Sequence, residues 1–361
     1  MKHSLLIFTT LVFWGVQASL AQEARPRNIV MMIGDGMGVA QVTAGHTKKG
    51  RLELQRFRHL GLLLTHAYGS DYITDSAAAT TALSTGVATR NGMIGMGPDS
   101  LNHETVLERA QKRGKKTGIV TTCSITHATP ASYIAHVPSR TMQLEIALQI
   151  AGKAKADLYL GSGWGWFLPI ASGGRRTDGR DLLSEMRMSG FTVVLSDSAF
   201  RMPENRKAPK LIGLFAEEHV GSAQTRTPRL SELTAHALNS LSGEEGFFLL
   251  VEGSQIDWAG HDNKSDQIIA EMADFDDAIG EVVRFAEKNP ETLIIVTADH
   301  ETGGYAILDG SSGDHTVQGG FVTDDHTAAL VPLFAMGSAA EKFTGIRPNA
   351  DVGTILMKML E

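Results

Sequence analysis

The chain has 361 residues, 42% of them hydrophobic, and its 40 acidic and 33 basic side chains give a formal charge of −7. That composition supplies a packed core and excludes a disordered chain, while the acidic balance argues against a nucleic-acid-binding surface. The single cysteine, Cys123, excludes a disulfide within the chain and is read as buried and inert.

Lys2, the apolar run LLIFTTLVFWGV and the small residues of ASLAQ read as a signal peptide over residues 1–21, cut after Ala21. No cysteine stands near the cut to carry a lipid, and no later apolar stretch approaches the roughly 20 residues of a membrane span. The expectation is an exported chain, periplasmic or secreted, with no membrane anchor and one domain over residues 22–361. Loss of Lys2 takes its charge from −7 to −8, so any anion site must carry its own local positive charge.

From residue 28 onward, short unbroken apolar runs alternate with helical patterns. This predicts an α/β fold, a three-layer sandwich with a mostly parallel central sheet and helices on both faces. NIVMMI (28–33) ends in Gly34, Asp35 and Gly36. LGLLLTHAY (60–68) precedes DYITDSAAATTALSTG (71–86), whose alanines predict a helix with Asp75 and Ser76 at its start. Unpaired backbone N–H groups and the macrodipole favour negative charge there, and Ser76 taken alone reads as a helix cap. GIVTT (118–122) runs into Ser124, Thr126, His127 and Thr129.

The region 160–245 says less. GSGWGWFLP and SGGRRTDGRD lack the lysine and spacing of a phosphate loop and read as surface turns. DLLSEMRMSGFTVVL (181–195) reads as helix, turn and strand. FFLLVE (247–252) ends in Glu252, and the following segment sets Asp257 and His261 four residues apart, on one face of a helix where both could share an ion. TLIIVT (292–297) leads to Asp299 and His300, which the loop after a strand lets turn inward together. GSSGDHTVQGG (310–320) reads as a flexible loop holding His315. His326, just before another apolar run, ranks above His315 as a ligand because a metal site needs rigid support.

One Gly-Asp-Gly ending would be an ordinary turn. Four strand endings rich in carboxylate and imidazole predict one shared site, because ligands of open parallel sheets bind outside the carboxyl ends of strands. Histidine and carboxylate without thiolate suit zinc, with coordination positions left open for catalysis.

GDGMG, TDSAAATTA, THATPASYIAHVPSR, VEGSQIDWAGH and TADHETGG resemble the alkaline phosphatases, in the same order and across nearly the whole mature chain. The resemblance is to the shorter bacterial members without long insertions. It implies that Ser76 is the nucleophile that becomes phosphorylated, with Asp75 beside it, and that Arg140 grips two phosphate oxygens. It also implies two zinc ions, one on Asp257, His261 and His326 and the other on Asp35, Asp299 and His300. A magnesium ion is implied on Asp35, Thr129 and Glu252. His127 stands where some members carry an aspartate near the magnesium, and Trp258 where some carry a lysine that reaches phosphate. The implied activity is hydrolysis of a broad range of phosphate monoesters at alkaline pH, and the implied assembly a homodimer.

Other readings stay open. A sulfatase of the same superfamily needs Cys/Ser-x-Pro-x-Arg at the nucleophile, and Ser76-Ala77-Ala78-Ala79-Thr80 has neither proline nor arginine. A phosphodiesterase usually has a threonine nucleophile and no third-metal glutamate. An exported protein that binds phosphate or metal without chemistry has little use for a serine at the ion cluster.

Overall fold

Strand β1 (Asn28–Gly34) is apolar for most of its length and all seven of its residues are buried, as expected of a strand covered on both faces. The computed structural model describes residues 25–152 and 156–361; the signal peptide read over residues 1–21 lies outside the described residues. In chain order β1 is followed by β2 (His59–Leu64), β3 (Lys116–Ser124), β4 (Leu158–Ser162), β5 (Thr192–Val194), β6 (Leu211–Leu214), β7 (Phe247–Gly253) and β8 (Thr292–Thr297). Then come β9 (Glu301–Thr302), β10 (Ala306–Ser311), β11 (Thr316–Gly320), β12 (His326–Thr327), β13 (Val331–Gly337) and β14 (Gly345–Pro348).

Ten of these strands form one sheet in the order β14-β2-β13-β8-β1-β7-β3-β4-β6-β5. β1 pairs in parallel with β7 and β8, and β3 in parallel with β7 and β4. Of the ten, β13 alone runs against its neighbours, β2 and β8. The predicted α/β fold with a mostly parallel sheet is therefore what forms. Its consequence for function is positional. β8, β1, β7 and β3 are consecutive and parallel, so the residues that follow them leave the sheet at one edge, within about 15 Å at the usual strand spacing.

Two groups of helices cover the sheet. In the first, Ser265–Lys288 packs on Leu230–Leu241 and Val39–Lys49; in the second, Ser76–Thr85 packs on Ala350–Met359. Ile268, Met272, Phe275, Ile279 and Val282 recur at helical spacing along Ser265–Lys288 and are all buried, the stripe an amphipathic helix turns to a core. Each fully buried side chain of this size contributes roughly 1.5–3 kcal/mol.

Two expectations fail. Residues 310–320 are not a flexible loop: β10 and β11 pair as an antiparallel hairpin, because Ile307 and Val317 pack against the core and outweigh the glycine-rich tip. The stretches read as surface turns are partly interior. Phe167 is fully buried, and the 3% exposed Arg176 donates to the carbonyls of Leu144 and Trp166. A buried arginine that bridges carbonyls distant in sequence leaves no local pattern.

Candidate active site

The Asp75–Ser76 ambiguity resolves in favour of the aspartate as cap. Asp75 Oδ1 accepts the backbone N–H of Ala78 at 2.9 Å, and Ser76 is the first residue of the helix Ser76–Thr85. Such a cap is worth about 1 kcal/mol. With the cap supplied, the Ser76 hydroxyl is free for other work, and it lies 3.2 Å from His300 Nε2.

His300 ties that hydroxyl to the strand endings. Its Nε2 is 3.2 Å from Asp299 Oδ2 and 3.5 Å from Asp35 Oδ1, and all three residues are fully buried. Asp35 follows β1 and Asp299 follows β8. The turn between them depends on Gly36, at φ 74°, whose amide donates to Asp299 Oδ1. A Cβ at Gly36 would sit 2.7 Å from Asp257 Cα, so only glycine lets the β1 turn approach the next ion group.

That second group is Asp257, His261 and His326. The helix Gln255–His261 carries the first two, as the four-residue spacing predicts. His326 arrives from β12, which pairs with β9 so that His326 lies opposite Thr302. Asp257 Oδ1 is 3.4 Å from His261 Nε2 and 3.5 Å from His326 Nε2, and the two Nε2 atoms are 3.1 Å apart. His261 Nδ1 donates to the Asp324 carbonyl at 2.6 Å and His326 Nδ1 to the Thr74 carbonyl at 2.9 Å. A carbonyl can only accept, so in each neutral ring the Nε2 lone pair faces its neighbour, an arrangement that suits a shared cation.

Thr302 completes the pattern, and the sequence reading missed it. Its hydroxyl donates to Asp257 Oδ1 and accepts from His300 Nδ1 at 3.2 Å, which turns His300 Nε2 toward Asp35, Asp299 and Ser76. The available signal was its position two residues after His300, on the same side of an extended segment. Thr302→Val keeps the shape and removes both bonds. It is expected to weaken ion affinity about 10- to 100-fold, read by competition with a chelator while the far-ultraviolet circular dichroism stays unchanged.

A third group lies behind Asp35. Thr129 Oγ1 donates to Asp35 Oδ2 at 3.3 Å, and Glu252, at the end of β7, accepts from Thr121 Oγ1. Cys123 and His127 also come near Glu252. Burial, then Glu252, pushes the Cys123 thiol up, so it stays protonated and is a poor ligand. The oxygens of Asp35, Thr129 and Glu252 suit a hard cation such as magnesium.

The buried cluster fits bound cations. Among the described residues, Asp35 Oδ1, Asp299 Oδ2 and Glu252 Oε1 have no hydrogen-bond partner. Burial, then Asp299, pushes the Asp35 carboxyl well up, and burial raises Glu252 to about 7. Burial would also raise Asp257, but hydrogen bonds from His261 and His326 hold it well below the usual range. The Asp257 hydrogen bond lifts His261 to about 9. Carboxylates crowded this closely keep their charge best beside bound cations.

Arg140 supplies a further cation. Its Nη1 donates to Asp75 Oδ2 at 3.1 Å and its Nη2 to His127 Nε2 at 3.4 Å, which ties the guanidinium to the residue that precedes Ser76. Burial, then Arg140, lowers His127 to about 3, so its ring is neutral. Trp258 stands edge-on to His127, ring centroids 6.1 Å apart, and to His219, at 4.6 Å. His219 follows β6, in the region where the sequence reading named no site residue. His315 lies elsewhere, bonded to the Thr47 carbonyl.

A hydroxyl held 3.2 Å from an imidazole inside groups that could hold metal ions fits the chemistry of a phosphate-ester hydrolase. The chain belongs to the alkaline phosphatase family, whose profile matches residues 26–318. It is 34% identical to alkaline phosphatase 4 of Bacillus subtilis, over 95% of this chain and 91% of that one. It is 30% identical to the streptomycin-6-phosphate phosphatase of Streptomyces griseus, over 98% and 94%. The solved alkaline phosphatase of the Antarctic bacterium TAB5 superposes with a TM-score of 0.84 at 35% identity, covering 94% of this chain and 99% of that one. Variants of the TAB5 enzyme with a histidine replaced by glutamate or aspartate have magnesium bound in a site called M3. The chain is accordingly a phosphomonoesterase. Among the described residues, no helix is long and apolar enough to cross a membrane.

Proposed function

We propose that Ser76 is the nucleophile and that hydrolysis passes through a phosphoserine, with Arg140 holding the phosphoryl oxygens. The observation that carries this reading is the 3.2 Å approach of Ser76 Oγ to His300 Nε2, inside a buried cluster of ion-binding groups. One zinc ion is assigned to Asp257, His261 and His326, another to Asp35, Asp299 and His300. Magnesium is assigned to Asp35, Thr129 and Glu252, with Asp35 shared, a reading supported by their oxygen donors. When bound, these ions would supply Lewis acidity that activates the serine hydroxyl and water and offsets charge on the transferring group.

The chain's own residues do the rest. Asp75 holds Arg140, whose two Nη groups suit bidentate recognition of phosphate, and the amides opening the Ser76 helix add donors. The Ser76 Oγ–P bond forms as the bond from phosphorus to the alcohol oxygen breaks, and the departing alkoxide takes a proton. Water then adds to phosphorus, the Oγ–P bond breaks, a proton returns to Oγ, and inorganic phosphate leaves. Two displacements give net retention at phosphorus.

Recognition of phosphate rather than alcohol makes the substrate range broad. We assign the enzyme to the periplasm or medium after cleavage near Ala21, as one domain over residues 22–361 that pairs as a homodimer. Relative turnover of an aryl phosphate monoester, a diester and a sulfate ester tests the assignment. The monoester should lead by orders of magnitude, and a faster diester or sulfate would overturn it.

Trp258 brings an aromatic edge where a lysine would bring a cation. Trp258→Lys is therefore expected to tighten product inhibition, lowering the inhibition constant for phosphate about 5- to 10-fold, as a partly desolvated charge-assisted hydrogen bond would. An unchanged or higher constant in a steady-state assay contradicts this.

A further inference from the structure

A cavity of about 670 Å³ opens at the amino-terminal edge of the sheet, lined in part by Lys116, Arg201, Arg206, Lys207, His236 and Ser240. Lys116 opens β3 and Ser124 closes it, so some 30 Å of strand separates this cavity from the phosphatase site. Among the described residues no carboxylate lines it, in a chain whose formal charge is −7. Arg201 is neutralised by Asp197 and Glu232, at 2.9 and 3.0 Å. Lys116 donates to the Ser240 carbonyl at 3.3 Å, and Arg206 and Lys207 have no carboxylate partner among the described residues.

The wall is built. The Arg206 guanidinium lies over the Phe200 ring, 5.8 Å from its centroid, and His236 meets the same ring edge-on at 5.0 Å. Phe200 and His236 are both buried, so the cation rests on fixed aromatic structure. His236 uses Nε2 on Ser240 Oγ at 3.3 Å, and among the described residues Nδ1 makes no hydrogen bond. Burial, then Arg206, lowers the ring to about 4, so it is uncharged at neutral pH and the positive charge of the cavity comes from the lysines and arginines.

We propose that this cavity is a second anion site, which binds a compact molecule bearing two or more phosphate- or sulfate-type groups through Lys116, Arg206 and Lys207. Its volume exceeds that of a single phosphate several-fold, and its cations stand on separate elements, the start of β3 and the segment that follows Phe200, which suits a ligand with spaced charges. The ligand's attachment here leaves the catalytic residues untouched.

The test is calorimetric titration of the ion-loaded enzyme with inositol hexasulfate, which has no phosphate ester to hydrolyse. Wild type, Arg206→Ser/Lys207→Ser and Arg140→Ala are compared. Saturable binding that weakens at least fivefold in the double variant, and less than twofold in Arg140→Ala, is the expected result. The double variant should keep its turnover of an aryl phosphate, since both residues are exposed and remote from Ser76. Absence of binding to wild type, a change below fivefold in the double variant, or a loss in Arg140→Ala that places the ligand at the phosphatase site would overturn the proposal.

Discussion

Replacing Ser76 by alanine is expected to lower kcat for an aryl phosphate by at least about 10³-fold, the order of effect seen when a covalent nucleophile is removed from otherwise intact machinery. The fold should hardly register the change. Asp75, not Ser76, caps the helix, and alanine is the best helix former, so stability should move by no more than about 1 kcal/mol, the worth of the one hydrogen bond lost. Arg140 and the ion-binding side chains remain, so phosphate should still bind. Acid quenching during turnover should trap label on the wild type and none on Ser76→Ala. A variant that keeps its rate, or one that loses ions and rate together, would show that the hydroxyl is not the attacking group.

Stripping ions with a chelator is expected to have the second large effect, with a defined pH signature. In the ion-free chain Glu252 titrates near about 7 against an ordinary 4.5, and Asp35 is also raised. Between those limits the folded chain binds more protons than the unfolded one, so stability falls as pH rises. For Glu252 alone this is of order 3 kcal/mol. His261, raised to about 9, contributes stability that is complete below 6.5 and lost as pH rises through 9, which adds a decline on the alkaline side. Asp257, held low, contributes stability that is lost only in acid, outside this window. With ions bound, the carboxylates are ionised in both states and the decline should vanish. Each ion adds about 2.7 kcal/mol when its free concentration is 100 times its Kd. Scanning calorimetry from pH 5 to 8 should give melting temperatures that diverge, the chelated protein falling away from the loaded one. Parallel curves would mean that these carboxylates do not face the ions.

Much of the site was legible because its chemistry follows directly on apolar runs. Asp35 after NIVMMI, Glu252 at the end of FFLLVE, and Asp299 with His300 after TLIIVT can be read by anyone who expects parallel strands to end at one edge, and the order β8-β1-β7-β3 makes those endings neighbours. What stayed hidden depends on contacts between distant segments. Asp75 and Ser76 both have capping side chains, and only the Ala78 amide distinguishes them. Thr302 gains its role from Asp257, 45 residues away in sequence. His219 faces Trp258 only because β6 ends beside the site. The β10–β11 hairpin was obscured by glycines that local composition assigns to a loop, whereas packing of Ile307 and Val317 decides the matter.

The account rests on one hydroxyl sharing a site with two cations. Anomalous diffraction at the zinc edge, on crystals grown with zinc and phosphate, tests it most directly. It should reveal one peak enclosed by Asp35, Asp299 and His300, another by Asp257, His261 and His326, and Ser76 Oγ in contact with the first. Peaks on other side chains, or a Ser76 hydroxyl turned away from both ions, would contradict it.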